Sequence, residues 1–230
     1  MASMTTKDSA VSSGPADFDG VLLLGATGRL GSMLRRHWPE PQALRSQSRQ
    51  PRPGFCNFDL PAAGEGPSDA AISTARGARA VISLAGVTPA RAGACGAALE
   101  DNVTLALAAL KLAEAAAVPR FFVASSAAVY GAQDGPLRED MPCAPLSEYG
   151  RQKLAMEQAV REAQGKTAIT ALRIGNVAGA DAILGGWQPK MQIDRFPDGA
   201  TPSRSYIGPV TLARVLCTLC HVDDLPPVLN

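Results

Sequence analysis

A four-residue apolar run, Val21-Leu-Leu-Leu24, leads directly into Gly25-Ala-Thr-Gly28-Arg-Leu-Gly31, and this junction restricts the fold more than any other part of the chain. A short, uninterrupted apolar run suits a parallel strand buried on both faces. Glycines at these intervals let the backbone turn tightly, bring N–H groups against a pyrophosphate, and allow a helix to pack closely on the strand. The helix expected from Gly28 to His37, stopped by Trp38-Pro39-Glu40-Pro41, then points its unsatisfied N–H groups at phosphate. A glycine triplet alone is a weak signal. Set between a strand and a helix, it points to dinucleotide binding. Gly25, Thr27, Gly28, Arg29, Leu30 and Gly31 are the first candidate cofactor residues.

Beyond this loop, short apolar runs alternate with longer helical stretches. Strands are expected near Ala43–Ser46 and Phe55–Phe58, at Ala80–Leu84, at Arg120–Ala124 and at Ala168–Ile174. Helices are expected over Ala97–Ala117, which is rich in Ala, Leu, Glu and Lys, and over Ser147–Gln164, with Ser147 as N-cap. This alternation predicts an α/β fold: a Rossmann-type, doubly wound parallel sheet with helices on both faces. Residues 1–19 read as a disordered leader and 20–175 as the dinucleotide-binding domain. Residues 176–230 read as a short, small lobe whose helix, about 209–221, returns to the core.

Net charge is +1, with no basic block able to neutralise nucleic-acid phosphates, so a nucleic-acid partner is not expected. No apolar run approaches the roughly 18 residues of a transmembrane helix, and the first residues lack the apolar centre of a signal peptide. The expected setting is the cytoplasm. Five cysteines, Cys56, Cys95, Cys143, Cys217 and Cys220, are then reduced thiols. Cys217-Thr-Leu-Cys220-His221 matches the spacing of haem attachment and of redox or metal CxxC sites. It lies in an amphipathic helical run, however, where cysteine serves as core packing, and no metal site is expected.

Enzymes that use NAD usually carry an acid at the end of the second strand, to hold the ribose 2′-hydroxyl. Here the stretch is Arg45-Ser-Gln-Ser-Arg49-Gln-Pro-Arg52. Arg29 and Arg49 are suited to a 2′-phosphate, so NADP is expected over NAD.

Tyr149-Gly-Arg-Gln-Lys153 puts two side chains at i and i+4 on one helix face. A lysine ammonium together with a positively charged nicotinamide favours phenolate; a fall of about three pKa units corresponds to ~4 kcal/mol. Such a tyrosine exchanges a proton with a hydroxyl while hydride moves. The fifth strand ends in Ala124-Ser125-Ser126, at the carboxyl edge where doubly wound folds bind ligands. A serine there can hold a substrate oxygen as charge develops on it.

With these motifs in place, Val21 to Ala213 resembles the extended short-chain dehydrogenase/reductases, in the NAD-dependent epimerase/dehydratase branch. The likeness rests on the glycine loop, Asp59-Leu60, Leu84-Ala-Gly86, Asn102, Ser125-Ser126 with Val129-Tyr-Gly131, Tyr149-x-x-x-Lys153 and Leu172-Arg-Ile-Gly-Asn176. The resemblance implies that Tyr149 is the acid/base, that Lys153 lowers its pKa and binds the nicotinamide ribose, and that Ser126 orients substrate. It also implies that Asp59 and Leu60 flank the adenine, that Leu84, Ala85, Gly86 and Ile174 line the cofactor, and that Asn176 and Arg204 touch a nucleotide-sugar substrate. Ser125 reads as structural.

The chain departs from the family at Ala127 and Ala128, where dehydratases carry an Asp-Glu pair, so dehydration is not expected. Gly208 and Thr211 replace a usual His and Asp. The lobe is short for the family, incomplete by that measure, and Leu225–Asn230 reads as the start of a further strand. The expected function is an NAD(P)-dependent oxidoreductase or epimerase acting on a small-molecule hydroxyl or carbonyl. The competing reading is a non-catalytic NADP sensor, though such relatives commonly lose the Tyr-x-x-x-Lys pair. The resemblance also implies a homodimer through helices 97–117 and 147–164.

Overall fold

The computed structural model describes residues 18–230 apart from 134, 164, 182, 183, 187, 188, 191, 193 and 202. The leader expected over Met1–Asp19 lies, except for Phe18 and Asp19, outside the described residues. Phe18 lies under the Arg45 guanidinium, 3.7 Å from its ring centroid, and Asp19 pairs with Arg79.

Strands and helices alternate as the apolar pattern requires: β1 (Val21–Leu24), α1 (Arg29–His37), β2 (Leu44–Ser48), β3 (Cys56–Asn57), α2 (Asp69–Ala75) and β4 (Ala80–Ser83). Next come α3 (Pro89–Cys95), α4 (Asp101–Ala115), β5 (Arg120–Ser126), α5 (Glu148–Glu162) and β6 (Ala168–Ile174). The chain continues with β7 (Asn176–Val177), β8 (Tyr206–Ile207), α6 (Pro209–Leu219) and β9 (Val228–Leu229). Among the described residues, one parallel sheet runs β3-β2-β1-β4-β5-β6-β9, and β7 pairs with β8 apart from it. This is the expected doubly wound sheet with a small second lobe.

Alternation along each strand divides the core between the two faces of the sheet. Leu22, Leu24, Val81, Phe121 and Val123 pack under α2, α4 and α5, against Ala75, Ala109, Leu112 and Met156. Val21, Leu23, Ile82 and Phe122 pack under α1 and α6, against Leu34, Leu212 and Leu216. Fully burying a leucine contributes about 1.5–3 kcal/mol, so the apolar β1 run anchors the sheet on both faces at once. Cys217 and Cys220 belong to the second cluster, which places this pair in core packing.

The helix expected over 97–117 is α4, which begins a turn later, and an unexpected short helix, α3, precedes it. α3 has Thr88 as its cap and ends at Gly96, in the left-handed conformation with φ 65°. Only after a turn does α4 begin at Asp101. α2, capped by Ser68, falls where no element was expected. Ser147 caps α5 as anticipated, accepting a hydrogen bond from the Gly150 N–H at 3.1 Å.

Candidate active site

The glycine loop turns between β1 and α1 at the carboxyl edge of the sheet. Gly25 has φ +71°, and a Cβ there would lie 2.8 Å from the Ala85 nitrogen. Left-handed backbone and close approach together require glycine. A Cβ on Gly31 would meet the Gly25 carbonyl oxygen at 2.5 Å, so the third glycine is what lets α1 pack against the loop. α1 has no side-chain cap at Gly28 and no acid in its first turn, and Thr27, Gly28 and Arg29 are exposed. Its N-terminal N–H groups therefore present a positive end suited to phosphate, and the residues fit a dinucleotide.

Leu84, Ala85 and Gly86 follow β4 beside this loop and are half-buried. Asn102 holds the segment in shape. Fully buried near the start of α4, it accepts from the Val87 N–H at 3.2 Å and donates to the Val87 and Leu99 carbonyls at 2.9 and 2.8 Å. A Cβ on Gly86 would lie 2.6 Å from Asn102 Oδ1 and 3.5 Å from Lys153 Nζ. The β4 loop, Asn102 and Lys153 therefore meet at one place.

Ser126 ends β5, and its Oγ accepts from the Ala128 N–H at 3.2 Å, shaping the short turn 127–129. Tyr149, in the first turn of α5, is half-buried beside the Ser126 side chain. A Cβ on Gly150 would lie 2.5 Å from the Ala128 carbonyl oxygen, so glycine after Tyr149 lets α5 rest directly on that turn. Lys153 is buried; its Nζ donates to the Ala124 carbonyl at 2.7 Å and lies 5.8 Å from the Tyr149 ring centroid. Burial pushes the Tyr149 phenol up, with the Ser126 hydrogen bond drawing it partly back. Burial also lowers Lys153 to about 8, and Glu157 opposes that fall.

Glu157 went unremarked in the sequence, and Arg173 entered only within the Leu172–Asn176 motif, with no partner assigned. The Glu157 carboxylate, 2% exposed, receives Arg173 through Nε at 3.1 Å and through a terminal nitrogen at 2.8 Å. Ser125 Oγ donates to the same carboxylate, which gives this serine the structural role expected of it. Burial works against the charge of Arg173, but its bonds to Glu157 and Tyr130 hold it above its ordinary range.

The other candidates divide. Asp59, exposed, and Leu60, half-buried, follow β3; Ile174 is half-buried at the end of β6; Arg49 is exposed beyond β2. The Asn176 amide donates to the Ser205 carbonyl at 3.1 Å, tying β7 to the approach to β8, where Arg204 is exposed. Arg29 reaches the Ala180 and Asp181 carbonyls at 3.2 and 3.4 Å.

A sequence profile for the NAD dependent epimerase/dehydratase family matches residues 21–224. The UDP-glucose 4-epimerase of Azospirillum brasilense is 39% identical over 84 residues, 35% of this chain and 24% of that one. That of Corynebacterium glutamicum is 41% identical over 88 residues, 37% and 27% respectively. The matched stretch thus spans about a quarter of the length of these curated relatives. Among solved structures, MoeE5 in complex with UDP-glucuronic acid and NAD has a TM-score of 0.68 and 26% identity, over 91% of this chain and 74% of that one. A short-chain dehydrogenase/reductase superfamily protein from Agrobacterium tumefaciens with bound NAD has a TM-score of 0.51 and 27% identity, over 68% and 49%.

These structures overturn the expectation of NADP, since the cofactor they hold is NAD. The geometry supplies the reason. Arg29, read as a 2′-phosphate ligand, is engaged by carbonyls of the loop after β7. At the end of β2 it is Gln47 that is fixed, donating to the Phe58 carbonyl at 2.7 Å and accepting from the Gly25 N–H at 3.3 Å.

Proposed function

The chain belongs to the NAD-dependent epimerase/dehydratase family, and on that premise we propose that it is an NAD-dependent epimerase or oxidoreductase acting on a hydroxyl or carbonyl of a nucleotide-linked sugar. One observation carries the reading: Tyr149 stands beside Ser126, with buried Lys153 one helical turn on and reaching both the end of β5 and the β4 loop. The proteins this chain resembles include UDP-glucose 4-epimerases and MoeE5, seen in complex with UDP-sugars and NAD.

In this reading NAD supplies hydride acceptance and return at its nicotinamide. Ser126 Oγ holds the substrate oxygen, and the Tyr149 hydroxyl exchanges a proton with it at hydrogen-bond distance. The Lys153 ammonium orients the nicotinamide ribose and favours the phenolate when the site carries positive charge. Gly25, Thr27, Gly28, Leu30 and Gly31 hold the pyrophosphate, Asp59 and Leu60 flank the adenine, and Leu84, Ala85, Gly86 and Ile174 line the dinucleotide. Asn176 and Arg204 face the sugar nucleotide from the small lobe. Ala127 and Ala128 offer no carboxyl for removing water, which favours epimerisation or simple redox chemistry over dehydration.

Residues 20–175 are assigned to cofactor binding and 176–230 to the substrate lobe. A homodimer forms through the faces of α4 and α5 turned away from the sheet. No helix among the described residues is long and apolar enough to cross a membrane, and the free, exposed thiol of Cys95 fits the reducing cytoplasm. The test is incubation of the full chain with NAD and UDP-glucose, UDP-galactose and further UDP-sugars, with products followed by NMR. Turnover lost in Tyr149→Phe supports the enzyme. Tight NAD binding without turnover of any sugar nucleotide favours the sensor.

A further inference from the structure

A buried ion pair is weak evidence for stability. Removing both charges from water costs several kcal/mol, and an apolar pair of similar volume often packs as well or better. The Arg173–Glu157 pair, with side chains 6% and 1% exposed, therefore needs an account in terms of what surrounds it. Glu157 lies one helical turn beyond Lys153 on α5 and faces the end of β5. Two successive residues of that strand are held by α5: the Ala124 carbonyl accepts from Lys153, and Ser125 Oγ donates to Glu157. The next residue is Ser126. Arg173, from β6, braces the carboxylate with a two-toothed contact and extends to the Tyr130 hydroxyl at 2.8 Å, which in turn donates to Asn230 Oδ1 at 2.7 Å.

We propose that Glu157 is a positioning residue for the Ser126–Tyr149–Lys153 site: braced by Arg173 and Ser125, its carboxylate fixes α5 in register with the end of β5 and favours the ammonium form of Lys153. The ionisable groups around Lys153 fit this role. Tyr149 and Glu157 face it from α5, Arg173 acts from β6 through Glu157, and α4 presents the neutral Asn102. The Cys143 thiol, from the loop before α5, is pushed up by burial and lies in the fields of Arg173 and Glu157. Burial brings Lys153 to about 8 even with Glu157 opposing the fall. Without that negative charge the ammonium becomes a minority form closer to neutral pH.

The role in turnover rests on the functional reading above; the charge state of Lys153 does not. The experiment therefore reads Lys153 directly, by 13C NMR of the full chain labelled at lysine Cε, with its resonance assigned by its loss in Lys153→Met. Wild type, Glu157→Gln and the double variant Glu157→Gln/Arg173→Gln are titrated. Glu157→Gln keeps an acceptor for Ser125 and removes the charge; the double variant also removes the arginine charge that the single one strands, and guards against misfolding of the single one. The Lys153 midpoint is expected to fall by about half a unit or more in both. The alkaline limb of UDP-sugar turnover moves down with it, while KM for NAD changes by less than about threefold. An unmoved Lys153 midpoint in either folded variant overturns the proposal, and so does failure of both to fold, which makes the pair purely structural. A midpoint that falls in a protein without turnover upholds the control of Lys153 and removes the enzymatic reading instead.

Discussion

Replacing Asn102 by alanine tests how firmly the β4 loop is held at the cofactor site. The side chain makes three hydrogen bonds, two of them to the N–H and carbonyl of Val87, itself 4% exposed. Each of those two backbone groups, left buried without a partner, costs about 1–3 kcal/mol. Water reaches the Leu99 carbonyl more easily, so its loss adds less. The total is about 4 kcal/mol, which for a domain of this size lowers the melting temperature by roughly 8–16 °C. Calorimetry of wild type and Asn102→Ala measures this. Asn102→Asp should do no better, because it turns a donor into an acceptor aimed at two carbonyls. Loosening of Leu84–Gly86 should also weaken NAD at least tenfold, about 1.4 kcal/mol, by isothermal titration. A melting temperature lowered by less than about 3 °C, with NAD affinity intact, refutes the assignment of Asn102 as the clamp.

Two further outcomes follow from burial. Lys153 sits at about 8 in the folded chain against an ordinary 10.5, so the unfolded chain holds that proton more tightly. Stability is penalised below pH 8, and the penalty is relieved as pH rises from 8 towards 10.5, a gain of about 3 kcal/mol. Lys153→Met has no proton to shed, so urea unfolding should show wild type gaining on the variant across that window; parallel curves would count against a buried ammonium. For the thiols, iodoacetamide at pH 8 should label the exposed Cys95 and spare Cys220, whose burial pushes it up to about 12. Mass spectrometry that finds native Cys220 modified as fast as Cys95 contradicts its place in the core.

What could be read in the sequence was local. The β1 run, the glycine loop, the Ser147 cap and the Tyr149–Lys153 spacing each fit within one turn or one strand, where periodicity and conformational preference decide. The short helix α3 escaped because Ala, Gly and Cys mark no face along it, and the left-handed Gly96 ends it after two turns. Asn102 was visible as a helix-opening residue, yet its hold on Val87 depends on how α4 lies against the β4 loop. Glu157 and Arg173 did leave a trace: an arginine, the one charge in the strand-like run Ala168–Ile174, and a glutamate one turn after the lysine beside Met156. A charge at a core position demands a partner, and pairing those two was open to inspection. The NADP expectation failed for the same reason of distance, because what occupies Arg29 comes from residues 180 and 181.

The sheet order has a consequence for how the molecule opens. Every pairing in it is parallel, so every neighbour is reached across an intervening segment and no hairpin can form early by itself. β5 and β6 share seven successive register pairs, from Arg120↔Ala168 to Ser126↔Ile174, whereas β9 is held to β6 by two, Ala171↔Val228 and Leu172↔Leu229. Amide hydrogens along β9 should therefore exchange with solvent through small local excursions, while those between β5 and β6 wait for global unfolding. The strands that carry Ser126 and Arg173 are thus the slowest-breathing part of the sheet, and fraying starts at its edges, β9 and the equally short-paired β3.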